Sequence, residues 1–474
     1  MLERIEFINA VSDQIDIPLN KDQKDALASI YDFLFHGGGR STFILRGYAG
    51  TGKTTLIGAL IRWLHSVNRK TVLLAPTGRS AKVLAAHSGY PASTIHRRIY
   101  AVKQDDFGRM SVQLTLNKSE KTIFIADEAS MIGDGTGDEK GIGRSLIQDL
   151  LDYVYSGERC RLILIGDDAQ LPPVGLDMSP ALDEKKLEKL LNGNVYHSVL
   201  RQVVRQDEGS LILSNATLIR DKISKADYAE MKLQVDSRLG FHAIESFDLE
   251  YEFSNAFSSQ NSDDSVIICR SNKDAFKFNQ QIRARILDRE SELEAGDRLM
   301  IVKNNYHWKI PGRQQNFLAN GDMIVVERVH GISTFGSFRF AECDVLLLDE
   351  DVPPFTLILL LNSIDFEGPS IPTKELFKLR QMMIDSGDVD ASDPEERFYQ
   401  NPYFNCAQIK YAYAITCHKS QGGQWKYVYV HQGYLTEEML DRSYFRWLYT
   451  ALTRATEKIG LVGFHPYFLE DFQE

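Results

Sequence analysis

Five residues stand out as able to do chemistry together: Lys53, Thr54, Asp127, Glu128 and Gln170. The first two close the stretch GYAGTGKT at 47–54. An apolar run, Phe43-Ile44-Leu45, leads into it and an apolar pattern at helical spacing follows, giving the order strand, loop, helix. Gly47, Gly50 and Gly52 let the backbone of the loop turn its N–H groups inward around phosphate oxygens. The helix that starts there points its positive end at the same oxygens. The expected nucleotide contacts are therefore Gly47, Ala49, Gly50, Thr51, Gly52, Lys53, Thr54 and Thr55. Lys53 reaches the β- and γ-phosphates of ATP, and the Thr54 hydroxyl holds Mg2+.

Asp127 and Glu128 follow a second apolar run, 122–126. Paired carboxylates at the end of a buried strand, downstream of a phosphate loop, suit a metal and water site. Asp127 serves the Mg2+, and Glu128 orients and deprotonates the attacking water. Gln170 lies in GDDAQLPPVG, 166–175, after a third apolar run. Its amide can exchange partners when a γ-phosphate leaves, and the paired prolines stiffen the turn behind it. Gln23, in LNKDQKDAL at 19–27, sits one element before the phosphate loop. It offers donor and acceptor to an adenine edge, or it is a surface residue; both readings stand.

These groups need elements to hold them. The chain has 474 residues, 43% hydrophobic and 25% charged, enough for about three globular domains. Apolar residues recur at helical spacing over 2–11, and residues 71–75 form a continuous apolar strand. That strand ends in PTGRSAK, where Thr77 and Gly78 open a helix and either bind a phosphodiester or simply cap it. Thr94, His96 and Arg97 follow, then two alternating runs around Phe107 that predict a β-hairpin. An exposed Phe107 would wedge base pairs apart; folded back, it would only pack. Residues 133–143 read as a Gly- and Asp-rich loop with no assigned role.

The net charge of −11 does not favour a nucleic-acid partner, yet a groove needs only a local positive lining, and much acid lies elsewhere, as at 388–396. The five cysteines have neither metal nor redox spacing, which points to a reduced cytoplasmic chain. No apolar run is long enough to span a bilayer, so no membrane partner is expected.

In order, GYAGTGKT, APTGRSA, ADEAS and GDDAQLPPVG resemble the N-terminal motor motifs of superfamily 1 helicases. LRQVVRQ at 200–206, TCHKSQG at 416–422 and LYTALTRA at 448–455 are similar to that group's second-domain motifs. GDRLM at 296–300 and NGD at 320–322 resemble the entry to the inserted domain of its RecD/Dda-like branch. The resemblance covers nearly the whole chain. It implies two RecA-like parallel-sheet domains clamping ATP, an inserted SH3-like β-barrel and 5′→3′ movement on single-stranded DNA. Arg205 and Arg454 would approach the γ-phosphate from the second domain, and Gly422 would join the nucleotide site. The DNA grips would be Thr77, Gly78, Thr94, His96, Phe107, Arg270, Asn272, Thr416, His418 and Ser420, with His418 equally readable as a core residue.

The expected boundaries are 1–198 for the first motor domain, with a hairpin at about 97–119, and 199–295 for the start of the second. The β-domain and an exposed acidic insertion take 296–404, and the second motor domain resumes at 405–474. Short alternating runs at 323–329 and 343–348 fit such a barrel, with Tyr306 and Trp308 either stacking on bases or packing in the core. The expected partners are single-stranded and 5′-tailed duplex DNA, with replication or repair proteins beyond them, and a monomer as the working unit. A DNA-bound switch or loader that does not unwind, and an RNA-directed motor, are the competing functions.

Overall fold

The computed structural model describes residues 3–104, 110–134, 145–203, 210–229, 231–258, 262–308, 310–311, 317–348, 352–387 and 400–471. Six parallel strands build the first sheet, in the order Ala92–Thr94, Thr71–Ala75, Ile123–Ala126, Arg161–Gly166, Ser41–Gly47, Asn194–Leu200. The central strands are apolar on both faces because helices cover both, as parallel sheets require. Their C-terminal ends carry the phosphate loop, Thr77, Asp127 and Asp167 on one edge, which is where open α/β sheets place ligands.

A second parallel sheet has the order Phe241–Ile244, Ala455–Val462, Trp425–His431, Ser265–Cys269, Ala414–Thr416. The chain leaves this sheet after Cys269 and returns at Ala414. Between the two lies the expected insertion, a closed barrel of Arg298–Ile301, Met323–Phe335, Phe338–Leu347, Phe355–Leu360 and Ala407–Tyr411. Its last strand falls beyond the expected boundary at 404. The closing pair of strands is parallel, so the register needed the long crossover through 361–406. That crossover is not merely exposed loop. Helix Thr373–Asp385 sets Leu379 and Met383, one turn apart, against Phe338, Phe340, Ile358 and Leu360. Trp308 packs between two cores and donates its indole N–H to Asn405 O at 2.8 Å, so it is structural. Tyr306 lies against Phe317, with ring centroids 5.2 Å apart.

The expected hairpin forms from Tyr100–Gln104 and Met110–Leu114; Phe107 lies outside the described residues, as does most of the Gly-rich loop. Among the described residues, no helix is long and apolar enough to cross a membrane.

The barrel is bolted to the second sheet by Asp297, which has no exposed side-chain surface. Arg283 donates to both its oxygens at 2.9 Å, Arg289 to one at 2.5 Å, and the Tyr413 hydroxyl donates at 3.1 Å. Removing one partner of such a network strands buried charge, so Asp297→Asn should lower stability by about 3–5 kcal/mol. Urea unfolding with an unchanged midpoint would contradict this.

Candidate nucleotide site and strand groove

The phosphate loop joins strand Ser41–Gly47 to helix Lys53–Ser66. Gly50 and Gly52 have φ of +75° and +79°, the left-handed region that side chains resist, so the tight cradle depends on them. Lys53 Nζ donates to the loop's own carbonyls, Gly47 O at 2.6 Å and Tyr48 O at 2.9 Å, which keeps the ammonium at the mouth of the cradle. Gln23 is buried, with Oε1 accepting from Asn20 N–H and Nε2 donating to Thr51 O at 3.2 Å. It ties a helix cap to the loop, and reading an adenine edge would require exchanging one of these bonds.

Asp127 and Glu128 sit on the adjoining strand end. Glu128 has φ 52° and ψ 40°, a left-handed conformation costing on the order of 1 kcal/mol for a side chain without compensating turn chemistry. Its N–H donates to Asp127 Oδ1 at 2.8 Å. Burial first, and the Glu128 carboxylate second, push Asp127 up to about 7 from 3.8. The folded chain therefore holds a proton that the unfolded chain releases. Between about pH 4 and 7 this group makes stability fall as pH rises, and the loss is complete above 7. Melting of ligand-free Asp127→Asn against the parent should show a difference that grows from pH 5 to pH 8. A constant difference would refute the assignment.

A cavity of about 680 Å³ lies between the two parallel-sheet domains. From the first it is lined by Lys53, Thr54, Asp127, Glu128 and Gln170, and from the second by Gly422 and Arg454. That is the size of a nucleotide pocket. Two further observations fit a triphosphate. Gln170 Oε1 is buried and has no hydrogen-bond partner among the described residues, so it is free for a water or phosphate-linked group. Arg454 is 4% exposed and held by Thr450 O, Gly423 O and Thr453 Oγ1, with the guanidinium in the cavity wall. The Thr54 hydroxyl and Asp127 carboxylate give the hard oxygen donors Mg2+ takes alongside phosphates. Arg205 lies outside the described residues.

The domains are stitched together by groups that sequence reading left unassigned. Helix Arg442–Leu452 sends Tyr449 across the cleft, where its hydroxyl donates to Asp167 Oδ2 at 2.7 Å and accepts from the phosphate-loop Ala49 N–H at 2.7 Å. Thr450 Oγ1 accepts from Leu171 N–H at 2.9 Å, and Gln421 Nε2 donates to Leu171 O at 2.7 Å. The only hint in the sequence is that Tyr449 and Thr450 share a stretch with Arg454. Gly422 comes so close to the first domain that a Cβ there would meet Ser80 Oγ at 2.6 Å.

A second cavity, about 260 Å³, opens where both sheets meet the barrel. Thr77, Thr94, His96 and His418 line it, with Lys419 and the barrel's Asn320. Thr77 and Thr94 are also helix caps, accepting from Ser80 N–H and Arg97 N–H. Burial holds His96 near 4, so it is neutral at pH 7 and meets a strand by hydrogen bonding or stacking rather than as a cation. Gly78 faces Asp322 of the barrel.

Besides Gly78, four expected grips among the described residues are not gathered here. Arg270 donates to Tyr434 O at 2.9 Å and lies over the Tyr444 and Trp447 rings. Asn272 opens helix Asn272–Gln281, and Thr416 ends its strand, neither lining this cavity. Ser420 is a correction: it has no exposed surface and donates to Cys417 O, because its helix turn is packed inward.

Fold and site together define a P-loop nucleotide-binding protein with its site between two parallel-sheet domains. An AAA-domain family model matches residues 18–234, and a UvrD-like helicase C-terminal domain model matches 411–462. The chain is 30% identical over 205 residues to the ATP-dependent RecD2 DNA helicase of Deinococcus radiodurans, covering 43% of this chain and 26% of that protein. It is 26% identical over 315 residues to the ATP-dependent DNA helicase Dda of Enterobacteria phage T4, covering 65% and 67%. The match thus spans about a quarter of the first relative and two thirds of the second. A solved Pif1 helicase from Bacteroides, in complex with ADP-AlF3 and ssDNA, is 16% identical over 96% of this chain and 95% of that one, with a TM-score of 0.44. Over part of its length the chain is thus similar to ATP-dependent DNA helicases of the RecD2 and Dda kind.

Proposed function

We propose that this protein is an ATP-driven DNA helicase that moves 5′→3′ along single-stranded DNA as a monomer. One observation carries it: Lys53, Glu128 and Gln170 of one domain and Arg454 of the other line the same cavity. ATP seated there is held from both sides, and loss of its γ-phosphate removes the shared ligand and lets the domains part. Bound Mg2+, held by Thr54 and Asp127, would neutralise phosphate charge. Glu128 accepts the proton of the attacking water, Gln170 orients it, and Arg454 takes the charge building on the γ-oxygens, a role that the resemblance also gives Arg205.

The strand runs through the groove of Thr77, Thr94, His96 and His418, beside Asn320 of the barrel, and opening and closing of the cleft moves it. Phe107, which falls in sequence between the two hairpin strands, would separate the duplex. The polarity rests on the likeness to the RecD/Dda group. The five cysteines are free and buried, in keeping with a reducing cytoplasm.

The test is a tailed duplex. A 5′ overhang should be opened with ATP and a 3′ overhang left intact, with matched RNA tails as the control for an RNA motor. Equal opening of both overhangs would overturn the polarity, and ATP turnover without opening would leave a switch.

Tyr449 links this chemistry to domain closure. Tyr449→Phe keeps the ring but leaves Asp167 and Ala49 N–H without their shared hydroxyl. A hydrogen bond to a buried charge is worth about 1.5–3 kcal/mol, so DNA-stimulated kcat should fall at least about tenfold. The KM for ATP should stay within about threefold, since Lys53, Thr54 and the rest of the phosphate loop are unchanged. Unchanged kcat would return Tyr449 to simple packing.

A further inference from the structure

On the first domain, a second concave surface lies at the opposite edge of the sheet from the nucleotide. It is an open groove of about 770 Å³ where the strands Thr71–Ala75 and Ile123–Ala126 begin. Arg69, Lys70, Arg98 and Lys118 line it, against a single carboxylate, Glu120. Among the described residues none of these four cations has an ion-pair partner, although the chain as a whole carries a net charge of −11. Arg98 Nε is moreover buried without a hydrogen bond. An acidic protein that keeps four cations together and unpaired has a strong local positive potential there.

The position matters as much as the charge. Arg98 and Lys118 flank the hairpin, one just before strand Tyr100–Gln104 and the other just after Met110–Leu114. The short helix Ile95–Ile99 has His96 in the tracking groove and Arg98 in the basic one. The hairpin strands therefore start and end beside two grooves, one polar with Arg79 and Lys419 in its wall, the other lined by four cations.

We propose that the basic groove binds the phosphodiester backbone of the displaced strand, the one that the motor does not track. This rests on the helicase reading and names a second strand site for it. Each strand leaving the hairpin is then held on its own side, which opposes reannealing behind the wedge. The grip is sequence-tolerant because only backbone charge is read.

The test uses the triple variant Arg69→Gln/Lys70→Gln/Lys118→Gln. All three positions are exposed, so the fold is not at risk, and none lies in the nucleotide site. Binding is measured by fluorescence anisotropy on three DNAs: a 5′-tailed duplex, a fork with an added 3′ arm, and a 5′-tailed oligonucleotide alone. The parent should prefer the fork, and the variant should lose about tenfold or more on the fork alone. The slope of log K against log salt on the fork should become shallower by about 2, since each single-strand phosphate that is no longer neutralised removes about 0.7. ATPase stimulated by the oligonucleotide should stay within about twofold. Equal losses on all three DNAs, or none on the fork, would overturn the proposal. An equal loss on the armless duplex would assign the groove to the duplex instead and so refute the displaced strand. Failure of the parent to bind any tailed DNA would defeat the helicase reading itself, a distinct result.

Discussion

Glu128→Gln should bind ATP and leave it almost uncleaved, with turnover down by about three orders of magnitude. Phosphoryl transfer to water asks the protein mostly for position and charge, and a well-placed general base is worth about 10²–10⁴. Glu128 is placed by a backbone conformation that few residues other than glycine adopt, at φ 52°, immediately after the strand that carries Asp127. Its N–H is fixed on the Asp127 carboxylate, and its side chain lines the cavity with Lys53 and Gln170. Glutamine keeps the shape and the hydrogen-bonding reach but takes no proton at neutral pH. The loss should therefore fall on kcat, while the affinity for ATP, measured with a fluorescent analogue, stays within a few-fold. Normal hydrolysis by this variant would remove Glu128 from the reaction.

Arg454→Ala should cost roughly 10³ in DNA-stimulated kcat, and Arg454→Lys should recover little of it. An arginine placed against transferring phosphoryl oxygens is worth that much because its planar fork donates to several oxygens at once. Lysine offers a point charge of different geometry. Here the guanidinium is held by three oxygens of its own domain, including Thr450 O at 3.1 Å, so it travels with that domain. Thr450 also accepts from Leu171 N–H of the first domain, which ties the arginine's own anchor to the seam. The effect should depend on closure, so basal ATPase without DNA should drop less than the stimulated rate. A stimulated kcat within threefold of the parent would mean that Arg454 supports the wall of the cavity without touching phosphate.

Much of the nucleotide site was legible because its parts are local. GYAGTGKT specifies a turn, a dipole and a cation within one short stretch, and the structure builds them as strand Ser41–Gly47, cradle and helix Lys53–Ser66. Asp127 and Gln170 follow apolar runs, and a run that is apolar at every position suits a strand covered on both faces. The barrel showed in the alternation of 323–329 and 343–348, since a period of two places one face inward whatever the partner strand.

What the chain's order could not determine depends on groups distant in sequence. Tyr449 reaches Ala49 and Asp167 only after both sheets are folded and their edges meet, and no local pattern marks a hydroxyl that will be shared across a cleft. The barrel's closing strand at Ala407–Tyr411 pairs with Arg298–Ile301 and Phe355–Leu360, both far back along the chain, so its boundary was set by pairing rather than by composition. Ser420 and Gly422 share one motif, yet one is buried in its own helix turn and the other abuts Ser80 of the opposite domain. The basic groove likewise draws Arg69 and Lys118 together from separate elements. Sequence alone determined which residue types stand at the end of each strand, because strand and loop formation are short-range events. Tertiary structure alone decided which of those ends face each other, because burial and cross-domain hydrogen bonding are settled only when the surfaces close.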